Sequence, residues 1–165
     1  SIMFFNFLNF FILRISFFVI IISSSLLISA YYFQYFEGLM PCQMCLWQRW
    51  VHFLIIFSCF LSIILKKGKY PFLFLSIFFA IISFIISSWH SGVELNIFSG
   101  PNTCLDTSSN QPNINFMEFL DKPFVSCSEI LWTFAGLSMA NWNAIISLFL
   151  VVIMIVSIFF KRKVI

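Results

Sequence analysis

The residues best suited to chemistry in this chain are its cysteines. There are five, and two of them stand in the run Pro41-Cys42-Gln43-Met44-Cys45. A bond across so short a loop removes little chain entropy, so a C-x-x-C pair serves redox exchange or metal binding rather than stapling. Redox exchange is the reading adopted here, because a metal site usually recruits a histidine or a second C-x-x-C close by. Cys104 and Cys127 form a second, widely spaced set; taken alone they read as a structural disulfide. Cys59 reads as a small packing residue. Arg49 follows Cys45 by one helical turn, on the same helix face. A guanidinium there lowers the pKa of a neighbouring thiol and holds a thiolate; its plainer reading is a side chain snorkelling to headgroups. Arg49 could also stabilise negative charge on a reduced acceptor bound in the membrane, and His90 could donate to the same acceptor. His52, three residues past Arg49, reads more plainly as a packed or lipid-facing histidine, and Glu94 as the end of an apolar run.

The elements that must position these groups follow from composition. Of 165 residues 61% are hydrophobic and only 9% charged, with 25 Phe, and the mean hydropathy is +1.02. A soluble domain carries roughly 25% charged residues, so fifteen charges cannot coat a water-facing surface of this size. A soluble enzyme, a disordered segment and a nucleic-acid binder are excluded; an integral membrane protein remains. The chain reads as a single integral membrane domain, 1–165, all-α, a four-transmembrane-helix bundle. Spans are expected at about 15–36, 46–65, 71–90 and 142–160, with outer loops at about 37–45 and 91–141. In lipid the backbone must satisfy itself, so apolar runs rich in Val, Ile and Phe form helices. The alternation of a membrane barrel is absent.

Basic residues orient the bundle. Arg14, Lys66, Lys67, Lys69, Lys161, Arg162 and Lys163 all fall on one side of a four-span chain, and the positive-inside rule makes that side the cytoplasm. Both termini are then cytoplasmic. Four of the five cysteines lie outside, where disulfides persist, and three pairings of those four are open. The segment 114–120 carries apolar residues at Ile114, Phe116, Met117, Phe119 and Leu120 and is expected to form a short interfacial helix in the long outer loop.

The pattern Pro41-Cys42-Gln43-Met44-Cys45-Leu46-Trp47-Gln48-Arg49 resembles the disulfide bond formation protein B (DsbB) family of bacterial inner-membrane thiol oxidases. So do His90 with Gly92-Val93-Glu94, Gly100-Pro101 leading to Cys104, Ser126-Cys127, and Trp132 through Gly136 to Trp142. Gln48 stands where some members carry an acidic residue. The resemblance implies an enzyme that reoxidises a periplasmic thioredoxin-like oxidase of the DsbA type and passes the electrons to a membrane quinone, ubiquinone or menaquinone. By the same resemblance Cys104–Cys127 is the disulfide that meets the partner. Cys104 forms the mixed disulfide, Cys127 attacks Cys42, and Cys45 is released to reduce the quinone. Arg49 and His90 then contact the quinone, with no metal. The rival readings are a related four-helix oxidoreductase for a dedicated substrate protein, a vitamin K epoxide reductase-like enzyme with another cysteine order, and a non-enzymatic membrane metal-binding protein.

Overall fold

The computed structural model describes residues 2–65, 69–101 and 126–164. Cys104 and the segment 114–120, with its expected interfacial helix, lie outside the described residues. Among the described residues the chain forms α1 (Ile2–Tyr35), α2 (Gln43–Ile64), α3 (Lys69–Glu94), a hairpin of β1 (Thr133–Phe134) and β2 (Leu137–Ser138), and α4 (Met139–Val164). All four helices are long and apolar enough to cross a membrane.

Local chemistry sets the helix ends. Pro41 precedes Cys42, whose extended backbone (φ −73°, ψ 170°) and sulfur, accepting from the Cys45 N–H, cap α2. The helix therefore starts three residues before the expected position 46, and the C-x-x-C pair belongs to its cap and first turn. At the end of α3 nothing breaks the helix until Asn96, which takes a left-handed φ of 57°; Ile97 then bonds back to the Gly92 carbonyl at 2.8 Å. The helix runs past the expected position 90 and carries His90 and Glu94 on one face. Ser138 caps α4 by accepting from the Asn141 N–H at 3.2 Å, so α4 also begins before the expected 142. The preceding hairpin turns on Ala135 (φ 52°) and Gly136 (φ 77°), the two positive φ values that a tight hairpin of matching twist requires.

The centre of the bundle is Val19, Val51, Ile55, Cys59, Ile77, Ala80, Leu150 and Met154. Small serines let the helices approach closely, as is common in membranes. Ser16 meets Ser62 at 3.2 Å and Ser83 meets Ser147 at 2.8 Å. Much of the phenylalanine points outward: Phe17, Phe57, Phe74, Phe78 and Phe159 are exposed, which costs nothing where the solvent is hydrocarbon. Helix α3 packs extensively on α2 and α4, whereas α1 leans on α2 and meets α4 only sparsely. That loose α1–α4 seam lies beside the C-x-x-C pair.

Candidate active site at the head of the second helix

The cap geometry of α2 brings the Cys42 and Cys45 sulfurs to 3.1 Å. Both thiols are free. The exchange order that the resemblance implies starts from a closed Cys42–Cys45 bond; the structure holds the open form, with the two sulfurs already adjacent. Cys42 is buried with Met44, Val93 and Cys127 in one cluster, against which Cys45, Trp47 and Trp89 pack. Cys127 is disulfide-bonded. The hydrogen bond between the two sulfurs holds Cys42 well below the usual thiol range, helped by His90 and opposed by burial. Cys42 is thus the thiolate of the pair, at a helix N-terminus that favours negative charge.

A directed chain of hydrogen bonds runs from the bundle interior to that sulfur. The Ser87 hydroxyl donates to the Ser83 carbonyl at 2.7 Å, so its oxygen accepts from Asn143 Nδ2 at 2.8 Å. This fixes which way the Asn143 amide faces. Its Nδ2 also donates to Gln48 Oε1 at 2.9 Å, which turns Gln48 Nε2 toward His90 Nδ1 at 3.1 Å. His90 Nδ1 is therefore the ring's acceptor and Nε2 carries the proton. That N–H faces the Cys42 sulfur at 3.6 Å, with Glu94 Oε1 at 4.0 Å on the same nitrogen. Glu94 in turn accepts from Ser138, tying α3 to the α4 cap. Gln48, placed where some family members carry an acid, works here as a neutral relay of orientation.

The other side of α2 faces a cavity of about 340 Å³, within the usual range for small-molecule sites. Its walls are mostly apolar and come from α1 (Leu26, Leu27, Ala30, Phe33), the hairpin (Trp132, Phe134) and α4 (Met139, Trp142). Cys45, Gln48, Arg49, His52 and Asn143 supply its polar groups. Trp132 packs on Phe33 with ring centroids 4.7 Å apart, and Trp142 Nε1 donates to the Phe134 carbonyl at 3.0 Å, so the hairpin forms one wall. Arg49 is turned inward: it donates to Gln34 and to the Ala30 carbonyl at 3.1 Å, with its guanidinium 4.8 Å from the Tyr31 ring centre. Two buried polar atoms among the described residues that line this cavity, Arg49 Nε and His52 Nδ1, have no hydrogen-bond partner. Each such group costs about 1–3 kcal/mol while it stays unmet.

The structure thus brings Cys42, Cys45 and His90 together on one side of α2, and Cys45 with Arg49 on the cavity side. It places His90 behind Cys42, outside the residues that line the cavity, and puts His52 in the wall instead. Sequence reasoning underweighted His52 and Glu94 and overlooked Asn143. The available signal was polarity inside apolar spans, where such residues face the bundle interior.

Fold and site define a four-helix membrane protein with a redox-type cysteine pair capping one helix beside an apolar cavity. A family model described as "Disulfide bond formation protein DsbB" matches residues 13–157, and the chain belongs to that family. It is 33% identical over 150 residues to a disulfide bond formation protein B of Photorhabdus laumondii, covering 82% of this chain and 84% of the relative. It is 30% identical over 136 residues to that of Pasteurella multocida, covering 77% and 75%. With that of Mannheimia succiniciproducens it shares 33% over 121 residues, covering 68% and 66%. An uncharacterized protein of Rickettsia prowazekii is 24% identical over 150 residues, covering 88% of this chain and 87% of the relative.

Proposed function

We propose that this chain is a thiol:quinone oxidoreductase of the bacterial inner membrane, with both termini in the cytoplasm. It reoxidises a periplasmic thioredoxin-like oxidase of the DsbA type and so sustains disulfide formation. The observation that carries this reading is a paired thiol whose second sulfur, Cys45, lines an apolar cavity holding an unmet donor. The residues fit a quinone head: a mostly apolar slot, aromatic walls, and the Arg49 Nε–H available to a carbonyl oxygen. A bound quinone supplies a sink for two electrons and two protons. Everything else is work for the chain's own side chains.

Exchange begins at Cys104–Cys127, where a partner thiolate attacks Cys104 and displaces Cys127. The partner's second thiolate then releases its own disulfide and leaves Cys104 reduced. Cys127 attacks Cys42 of a closed Cys42–Cys45 bond, and Cys45 leaves. Attack by Cys104 on Cys127 restores the outer bond and returns Cys42 as thiolate. The burial of Cys127 in one cluster with Cys42 supports this order, because exchange needs sulfurs within reach. The His90 N–H makes Cys42 a good leaving group in the last step. Arg49 holds negative charge on the cavity side.

The test is quinone reduction by purified protein supplied with a reduced periplasmic thioredoxin-like oxidase. Turnover of both substrates together is the expected result; a protein that oxidises neither overturns the proposal. Reporter fusions at Gly68 and Asn110 test orientation and should report opposite sides of the membrane.

A second reading, a metal-holding site, draws on Cys42, Cys45 and His90, whose ligand atoms lie within 4.8 Å of one another. Three such ligands are one short of a closed structural zinc site. Stoichiometric zinc in purified protein with four free outer thiols would favour it over the oxidase.

A further inference from the structure

The hydrogen-bond chain that orients His90 also determines the state of His52. Helix rise puts His52 about 15 Å along α2 from Cys42, one turn below Arg49. It is 3% exposed and lines the same cavity as Cys45. Its Nε2 lies 2.8 Å from Asn143 Oδ1. That oxygen faces His52 because the Asn143 amide nitrogen is committed to Ser87 and Gln48, and Ser87 has spent its own proton on the Ser83 carbonyl. The Asn143 oxygen can only accept, so His52 Nε2 carries the ring proton. Its Nδ1 is then a bare lone pair, buried and unpartnered. The ring's Nε2 edge is occupied on the α3–α4 side, by Asn143 and by Ser83 at 3.4 Å. Nδ1 is the ring atom left without a partner, buried in a side chain that forms part of the cavity wall.

We propose that His52 Nδ1 is the cavity's acceptor for a hydroxyl group, so that the site binds the reduced, hydroxyl-bearing form of its ligand more tightly than the oxidised form. The inference rests on the quinone reading above. The two unmet atoms of the wall divide the work. Arg49 Nε–H, a donor in every state of the chain, meets a carbonyl oxygen. His52 Nδ1, an acceptor while its ring is neutral, meets an O–H. The balance needs one proton more than the cysteines give: closing the bond between the Cys42 thiolate and the Cys45 thiol releases two electrons and one proton, and a second proton, drawn from water, completes what a quinone takes up to become a hydroquinone. His52 Nδ1 receives one of those protons and hands it to the ligand oxygen beside it, keeping its Nε2–H on Asn143 throughout. Reading the hydroxyl form favours product over substrate, so the site draws the Cys42–Cys45 oxidation forward.

The experiment uses the full chain in detergent. Quenching of Trp132 and Trp142, which line the cavity, reports binding of a short-chain ubiquinone and, separately, of its reduced hydroquinone. The wild type should bind the hydroquinone about tenfold tighter than the quinone, the worth of one good hydrogen bond. His52→Gln puts an amide where Nε2 was, keeps the Asn143 contact and removes the Nδ1 acceptor; the preference should vanish. His52→Asn keeps an acceptor near the Nδ1 position and gives up Asn143; the preference should survive. A histidine that only packs predicts the reverse order of damage, and wild-type preference in His52→Gln overturns the inference. The wild type also answers without any variant: the ¹⁵N resonance of His52 Nδ1 should move on saturation with hydroquinone and hold still with quinone. No movement with hydroquinone overturns the inference even if both variants misfold. Failure of the wild type to bind either form would sink the quinone reading itself, whereas binding of both forms with equal affinity sinks only the role of His52.

Discussion

The outer and inner halves of this bundle use the same residue types to opposite ends. In the inner half, buried serines donate their hydroxyl protons to carbonyls of their own helix. Ser62 donates to the Cys59 carbonyl at 2.8 Å, Ser76 to Leu73 at 2.7 Å and Ser157 to Ile153 at 2.5 Å. Cys59 is fully buried among Val51, Ile55 and Leu150. In the outer half, polar side chains reach across helices: Asn143 on α4 joins Gln48 on α2 and Ser87 on α3, and Gln48 joins His90. These serines spend their proton on their own backbone and meet other helices only through short contacts such as Ser16–Ser62, so they act as small spacers. Cross-helix bonds fix which atom of each group carries a proton, and chemistry depends on that. A cysteine is therefore inert or reactive by its neighbours and not by its burial, since Cys42 and Cys59 are both buried.

The sharpest test of this contrast is removal of one sulfur from each half. Cys45→Ala, or Cys42→Ser, should reduce coupled thiol oxidation and quinone reduction to background, measured by quinone absorbance with the reduced oxidase present. Residual turnover in either variant would move the reacting sulfur elsewhere. Next in size is Arg49. Arg49→Ala should raise the apparent KM for quinone or lower turnover by roughly tenfold to a hundredfold, the worth of hydrogen bonds to a charged donor, with membrane abundance unchanged. Arg49→Lys should recover only part of this, since an ammonium keeps the charge but lacks the planar fork that holds Gln34 and the Ala30 carbonyl together. Unchanged quinone kinetics with lowered abundance would instead make Arg49 an anchor.

A smaller effect is expected where the orienting chain is cut. In the reduced protein the Cys42 thiolate, read at 240 nm, should persist as the pH falls through neutrality and disappear only well below the usual thiol range. An unperturbed thiol would already be protonated below about 8.5. Asn143→Leu releases Gln48 and lets the His90 ring turn, so the midpoint should rise. It should rise less than in Cys45→Ala, because the Cys45 hydrogen bond is the largest contribution to the depressed value and His90 comes after it. An unmoved midpoint would show that His90 needs no orienting partner. The smallest effect belongs to the inner half. Cys59→Ala should leave exchange and quinone kinetics as they were and cost about 1 kcal/mol of stability, an ordinary loss for a small core truncation. A kinetic defect in Cys59→Ala would erase the distinction between the halves.

Sequence alone determined the frame of this protein. Four apolar runs separated by polar punctuation specify four helices, because a lipid solvent leaves the backbone no other way to satisfy itself. The spacing of Cys42, Cys45 and Arg49 puts all three at the head of one helix, since residues three and four apart share a face. Cys59 was legible as a packing residue from its place deep in an apolar run. Tertiary structure alone decided the partners of each group. Nothing in the order of residues says that His90 stands behind Cys42 while His52 faces the cavity, since both are single histidines in apolar helices. Their assignments come from Asn143, which lies 91 positions from His52 along the chain and within hydrogen-bond reach of it once α2, α3 and α4 pack. Periodicity reports which face of a helix is buried; only packing reports what that face meets, and the direction of each hydrogen bond follows from the meeting.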